Sequence, residues 1–161
     1  MAAETNQLTR PRRVTLLSTA NLDDKATTLS SSQLIRPLGE SLAAAVAGQG
    51  WEVTTQVGDD GADKASFARH LGGDRTPALL VTAGHGMCFN PESPRQRSHQ
   101  GALLCQDWPG RQASPSPVSR DHYFAAGDVA TDAEVGGLVA FFFACYGAGT
   151  SLNDDFDPRH G

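Results

Sequence analysis

Ala78-Leu79-Leu80-Val81-Thr82-Ala83-Gly84-His85-Gly86 opens as an apolar run and closes on a histidine held between two glycines. An apolar run of strand length without polar alternation reads as a strand buried on both faces, the mark of a parallel sheet covered by helices. A second stretch repeats the pattern: Leu138-Val139-Ala140-Phe141-Phe142-Phe143 gives way to Ala144-Cys145-Tyr146-Gly147. Both are expected to be central strands. In open α/β sheets the functional crevice lies outside the carboxyl ends of the strands. Neighbouring strands of this kind bring His85 and Cys145 to one site, where they form a candidate catalytic dyad.

Working outward, Val14 to Thr19 reads as the first strand and Asn21 to Ser32 as a polar loop. Leu38, Leu42, Ala45 and Val46 recur at helical spacing, with Pro37 suited to a first turn and Gly48 and Gly50 to a stop. Trp51 to Val57 follows as the second strand. Asp63 suits the cap of a short helix carrying Phe67 and Leu71, ended by Gly72-Gly73. The alternation predicts an α/β sandwich with a mostly parallel central sheet and right-handed crossovers. Residues 88–100, with Pro91, Pro94, Arg95, Arg97 and His99, read as a surface loop. Gly101 to Cys105 and the Trp108-Pro109-Gly110 turn suggest a hairpin, Ser114 to Pro117 a second loop, and Phe124 to Glu134 a short helix. Residues 1–13 are expected to be a flexible tail, 14–150 one domain and 151–161 an exposed loop.

A chain of 161 residues, 39% hydrophobic and 19% charged, suffices for one domain with a real core. Its net charge of -5 argues against nucleic acid or an anionic membrane as partner, since those need clustered Lys and Arg. The three cysteines, Cys88, Cys105 and Cys145, are an odd count that fits a reducing, cytoplasmic setting better than a disulfide framework. The apolar stretch after Arg13 is broken by Asn21, Asp23 and Asp24 before a cleavage site of the secretory kind. No stretch approaches the roughly 18 apolar residues that span a membrane.

The order apolar strand, His85-Gly86, a long intervening stretch, apolar strand, Ala144-Cys145-Tyr146-Gly147 resembles the caspase-like cysteine peptidases, and among them the CHAT and gingipain-type branch. One departure is Gly147-Ala148-Gly149-Thr150, richer in glycine than many CHAT members. The resemblance implies that Cys145 is the nucleophile, that His85 transfers protons, and that the backbone N–H groups of Gly86 and Cys145 form the oxyanion hole. It also implies that the loop after the first strand lines the pocket for the side chain before the cut. There Asp23 or Asp24 would favour Arg or Lys through charge-assisted hydrogen bonds. The resembled peptidases continue with further strands past the cysteine. The chain is therefore expected to be the front, large-subunit-like part of such a domain, completed by a second polypeptide, with 151–161 as a processing loop.

A thiol near its ordinary pKa of about 8.5 is only a few per cent thiolate at neutral pH, so peptide cleavage through Cys145 needs a neighbouring base. His85 supplies one, and the chemistry requires no cofactor or metal. Other readings stay open. Cys145 could belong to a packed core, as free cysteines often do. Asp23 and Asp24 could be turn carboxylates in water, with Asn153 to Asp157 as a rival acidic lining. The crevice could serve a non-catalytic caspase-like binding module. A zinc site from His85, Cys88, Cys105 and Cys145 lacks the paired cysteine spacing of structural zinc sites, and Gly147 to Thr150 lacks the lysine of a phosphate-binding loop.

Overall fold

The computed structural model describes residues 10–21, 23–113 and 117–147. Strand β1 (Arg13–Ser18) leads to α1 (Lys25–Leu29), which passes through a π-helical segment, Ser30–Ile35, into α2 (Arg36–Ala45). Then come β2 (Glu52–Val57), α3 (Lys64–His70), β3 (Leu79–Ala83) and the single turn α4 (Gln96–His99). Two short strands, β4 (Leu103–Leu104) and β5 (Tyr123–Phe124), precede β6 (Val139–Phe143).

The main sheet has the order β2-β1-β3-β6, and every neighbouring pair is parallel. The chain steps from β1 out to β2 and then returns past β1 to β3. The strand order therefore reverses between β1 and β3, and an open α/β sheet forms its crevice at such a point.

Side chains alternate between the two faces of each strand. One face sets Val14, Leu16, Val81 and Ala83 against Ile35, Leu38 and Leu42. The other sets Leu17 and Leu80 against Phe67, Leu103, Cys105 and Phe124. A smaller cluster of Ala102, Leu104, Tyr123 and Ala125, with Phe89 and Trp108 beside it, fills the space under the long connections. Leu16, Leu17 and Leu80 have no exposed surface; truncating any one of them to Ala costs about 2–5 kcal/mol.

Five expectations are corrected. Asn21 to Ser32 is largely helical, because Asp24 Oδ1 accepts the Ala26 N–H at 2.9 Å and caps α1. The hydroxyls of Ser30 and Ser32 bond back to the carbonyls of Ala26 and Thr28 at 2.9 and 2.8 Å, so the polar side chains are absorbed along the helix. Residues 88–100 are not wholly loop, since they include α4. Phe124 to Glu134 forms no α-helix; Phe124 pairs with Leu103, and Asp128 Oδ2 takes the Ala125 N–H at 2.7 Å to close one 3₁₀ turn. The partner of β4 is thus β5, and the Trp108 turn closes no hairpin. Finally, β6 is the outermost strand among the described residues. Phe142 packs into the core, whereas Val139, Phe141 and Phe143 are 64%, 58% and 50% exposed. Among the described residues no helix is long and apolar enough to cross a membrane.

Candidate active site

Parallel register aligns three strand ends: Ser18 lies beside Ala83, and Ala83 beside Phe143. The segments that carry Asp24, His85 and Cys145 all leave the sheet at this rim. Residues 85–87 are fixed against the β4 segment by Leu104 N–H donating to His85 O at 2.9 Å and Met87 N–H to Ala102 O at 2.8 Å. A Cβ on Gly86 would lie 1.6 Å from the carbonyl oxygen of Cys145, and one on Gly101 would lie 2.4 Å from that of Tyr146. The turn after β6 rests directly on these two bare backbones. Tyr146 has φ +57°, a left-handed conformation that costs a side chain about 1–2 kcal/mol. This tight reversal leaves Cys145 as an exposed free thiol at the strand end.

His85 and Cys145 line one cavity of about 400 Å³, together with Ala26, Thr27, Ser30, Gly84, Phe142, Phe143 and Ala144. The imidazole also meets Asp24: Nε2 of His85 is hydrogen-bonded to Asp24 Oδ2. The two carboxylate oxygens are divided between tasks, Oδ1 capping α1 and Oδ2 holding the ring. Burial works to raise the Asp24 pKa. The bonds from His85 and the Ala26 N–H outweigh it and hold the carboxyl below its ordinary value. An ionised carboxylate only accepts, so Nε2 carries the ring proton and Nδ1 is the basic nitrogen of neutral His85.

The loop bearing Asp24 is clamped. Gln106 accepts the Ala20 N–H at 2.8 Å, Asn21 Nδ2 donates to Trp108 O at 3.1 Å, and Thr27 Oγ1 accepts the Asn21 N–H at 3.2 Å. Sequence reasoning missed Gln106, Asn21, Thr27 and Gly101 as supports of the site. The only signal available was Asp24 standing as an N-cap ahead of Ala26 and Leu29.

Of the residues singled out beforehand, His85, Gly86 and Cys145 come together, and Asp24 joins them through the imidazole rather than as a free pocket floor. Asp23 is exposed and abuts Gly110, where an added Cβ would stand 2.8 Å from its carboxylate. Among the described residues, neither the Gly86 N–H nor the Cys145 N–H is spent on a backbone carbonyl. Cys105 lies buried in the core, where burial and then Asp107 push its thiol pKa up to about 12. No three His, Cys, Asp or Glu side chains among the described residues are gathered as a metal ion requires. The glycine-rich stretch 148–150 and the cluster 153–157 lie outside the described residues, as does the processing loop expected at 151–161. No family model, curated protein or solved structure matches the chain.

Proposed function

We propose that this chain carries the centre of a caspase-like cysteine endopeptidase of the CHAT and gingipain type, with Cys145 as nucleophile, His85 as proton-transfer group and Asp24 as the anchor of the imidazole. The observation that carries the reading is the cleft shared by an exposed thiol and a histidine whose Nε2 is held by a carboxylate. His85 Nδ1 takes the thiol proton, and the thiolate attacks the scissile carbonyl. The N–H groups of Gly86 and Cys145 hold the oxyanion. The imidazolium, stabilised by Asp24, protonates the departing amine, and water then releases the acyl-enzyme.

In this reading Asp24 serves His85, and selection of Arg or Lys before the cut rests on the exposed carboxylate of Asp23. A second polypeptide adds a strand along the outer edge of β6 and covers Val139, Phe141 and Phe143. The support is that these residues extend the face that α2 covers over β1 and β3, with nothing over them among the described residues.

Peptides differing only in the residue before the cut test the reading. Cleavage is expected after Arg or Lys and is lost in Cys145→Ala and in His85→Ala, with circular dichroism unchanged. Asp23→Asn raises KM for the basic peptides alone. Turnover retained in Cys145→Ala, with Cys88 and Cys105 still present, overturns the peptidase. Absence of turnover on every peptide by a wild type joined to its partner favours the non-catalytic binding module instead.

A further inference from the structure

We propose that the polar cavity on the α3 face of the sheet binds a small oxyanion that carries its own proton, hydrogen phosphate being the simplest. The cavity is independent of the peptidase reading, since the His85 and Cys145 cleft borders α1 whereas this one borders the end of α3.

Register builds it. Arg13 lies beside Glu52, Thr15 beside Thr54 and Leu17 beside Gln56, so these six side chains share a face. Where that face reaches Leu17 it is closed by Phe67. Toward Arg13 it turns polar, and the last turn of α3 with the segment after it adds Arg69, His70, Asp74 and Arg75 around a volume of about 400 Å³. Three guanidinium groups thus face two carboxylates. Arg13 is paired with Glu52 at 2.9 Å and Arg69 donates to Ser66 Oγ at 2.9 Å, while Arg75 makes no side-chain hydrogen bond among the described residues.

Two buried polar atoms in the lining also have no partner among the described residues: the hydroxyl of Thr15, a residue with no exposed surface, and Oε1 of Gln56. Native proteins rarely bury such atoms unpaired. His70 is buried, and its Nδ1 stands 2.8 Å from the Ser66 carbonyl, which only accepts. Nδ1 therefore carries a hydrogen, and Nε2 of the neutral ring is an acceptor. Burial first, and then the charges of Arg69, Arg13 and Arg75, outweigh the bond to Ser66 and push the His70 pKa down. The lining thus offers donors, Arg75 and Thr15, beside acceptors, Gln56 and His70. A ligand that satisfies both and also answers the excess of guanidinium over carboxylate groups is an anion bearing a hydrogen. Hydrogen phosphate meets that requirement at neutral pH; sulfate does not.

Titration calorimetry of the full chain at pH 7, with sodium phosphate and sodium sulfate at matched ionic strength, tests the site. Saturable one-site binding of phosphate is expected, with sulfate weaker by about tenfold or more, the scale of one lost hydrogen bond to a charged group. Arg75→Ala, a change at an exposed residue, weakens phosphate by a similar factor, and so does the near-isosteric Thr15→Val. Asp24→Asn leaves phosphate binding unchanged. The proposal is overturned by the absence of saturable phosphate binding, by sulfate binding as tightly as phosphate, or by an Arg75→Ala protein that binds phosphate like the wild type.

Discussion

Asp24 does two jobs through two oxygens, and a single substitution separates them. Asn caps a helix about as well as Asp, so Asp24→Asn keeps α1 while removing the charge opposite His85 Nε2. The expected outcome is a protein with near-native melting temperature whose kcat falls by roughly 10²-fold or more, the scale of a disabled acid-base group. A kcat within a few-fold of wild type contradicts the anchoring role. Gly86 makes a sharper case. With a Cβ 1.6 Å from the Cys145 carbonyl oxygen, Gly86→Ala forces two backbones apart. Activity is expected to vanish, and the melting temperature to fall by the several degrees that correspond to about 1–3 kcal/mol of overpacking. Unchanged stability would show that residues 86 and 145 are not in contact.

The elements legible in the sequence were those whose apolar residues keep a period or an unbroken run. The strands β1, β2, β3 and β6 and the helix α2 follow that rule, and the Asp63 cap on α3 is observed with Oδ1 accepting the Ser66 N–H at 2.7 Å. The two-residue strands β4 and β5 are too short to hold any period. Their pairing depends on tertiary contacts such as Asp128, which accepts from Arg120 at 2.5 Å, from the Ala125 N–H at 2.7 Å and from Lys64 at 3.2 Å. The role of Asp24 was hidden for a related reason, because its partner is a histidine in a distant segment. Burial works to raise the Asp128 carboxyl, but those bonds hold it below its ordinary value of 3.8. A depressed carboxylate binds fewer protons in the folded chain than in the unfolded one. Its stabilisation is complete above the unfolded pKa and is lost as pH falls through the lower, folded value. Asp128→Asn is therefore expected to cost about 1.5–3 kcal/mol at neutral pH. In denaturant titrations that deficit shrinks as pH drops below the carboxylate range; a deficit independent of pH contradicts the assignment.

At the scale of the whole molecule, apolarity misled in one respect: a run such as Val139 to Phe143 looks the same whether its own chain or another covers it. The exposed stripe of Val139, Phe141 and Phe143 lies beside a strand edge that pairs with nothing among the described residues, and such a surface is a recognised site of association. The Phe141→Ser variant is expected to reduce self-association in light scattering of the isolated chain, and to weaken capture of a second polypeptide if one completes the sheet as proposed. Equal scattering by the two proteins would place association elsewhere. The same rim that β6 borders carries His85 and Cys145, so a covering strand would also wall the cleft beside Cys145. The central claim concerns that thiol. Intact-mass and peptide mapping after brief exposure to a peptide electrophile ending in Arg tests it most directly. The account predicts a single adduct on Cys145, lost in His85→Ala, with Cys105 unmodified and exposed Cys88 reacting far more slowly. Labelling of Cys88 at the same rate as Cys145, or labelling unaffected by His85→Ala, would contradict it.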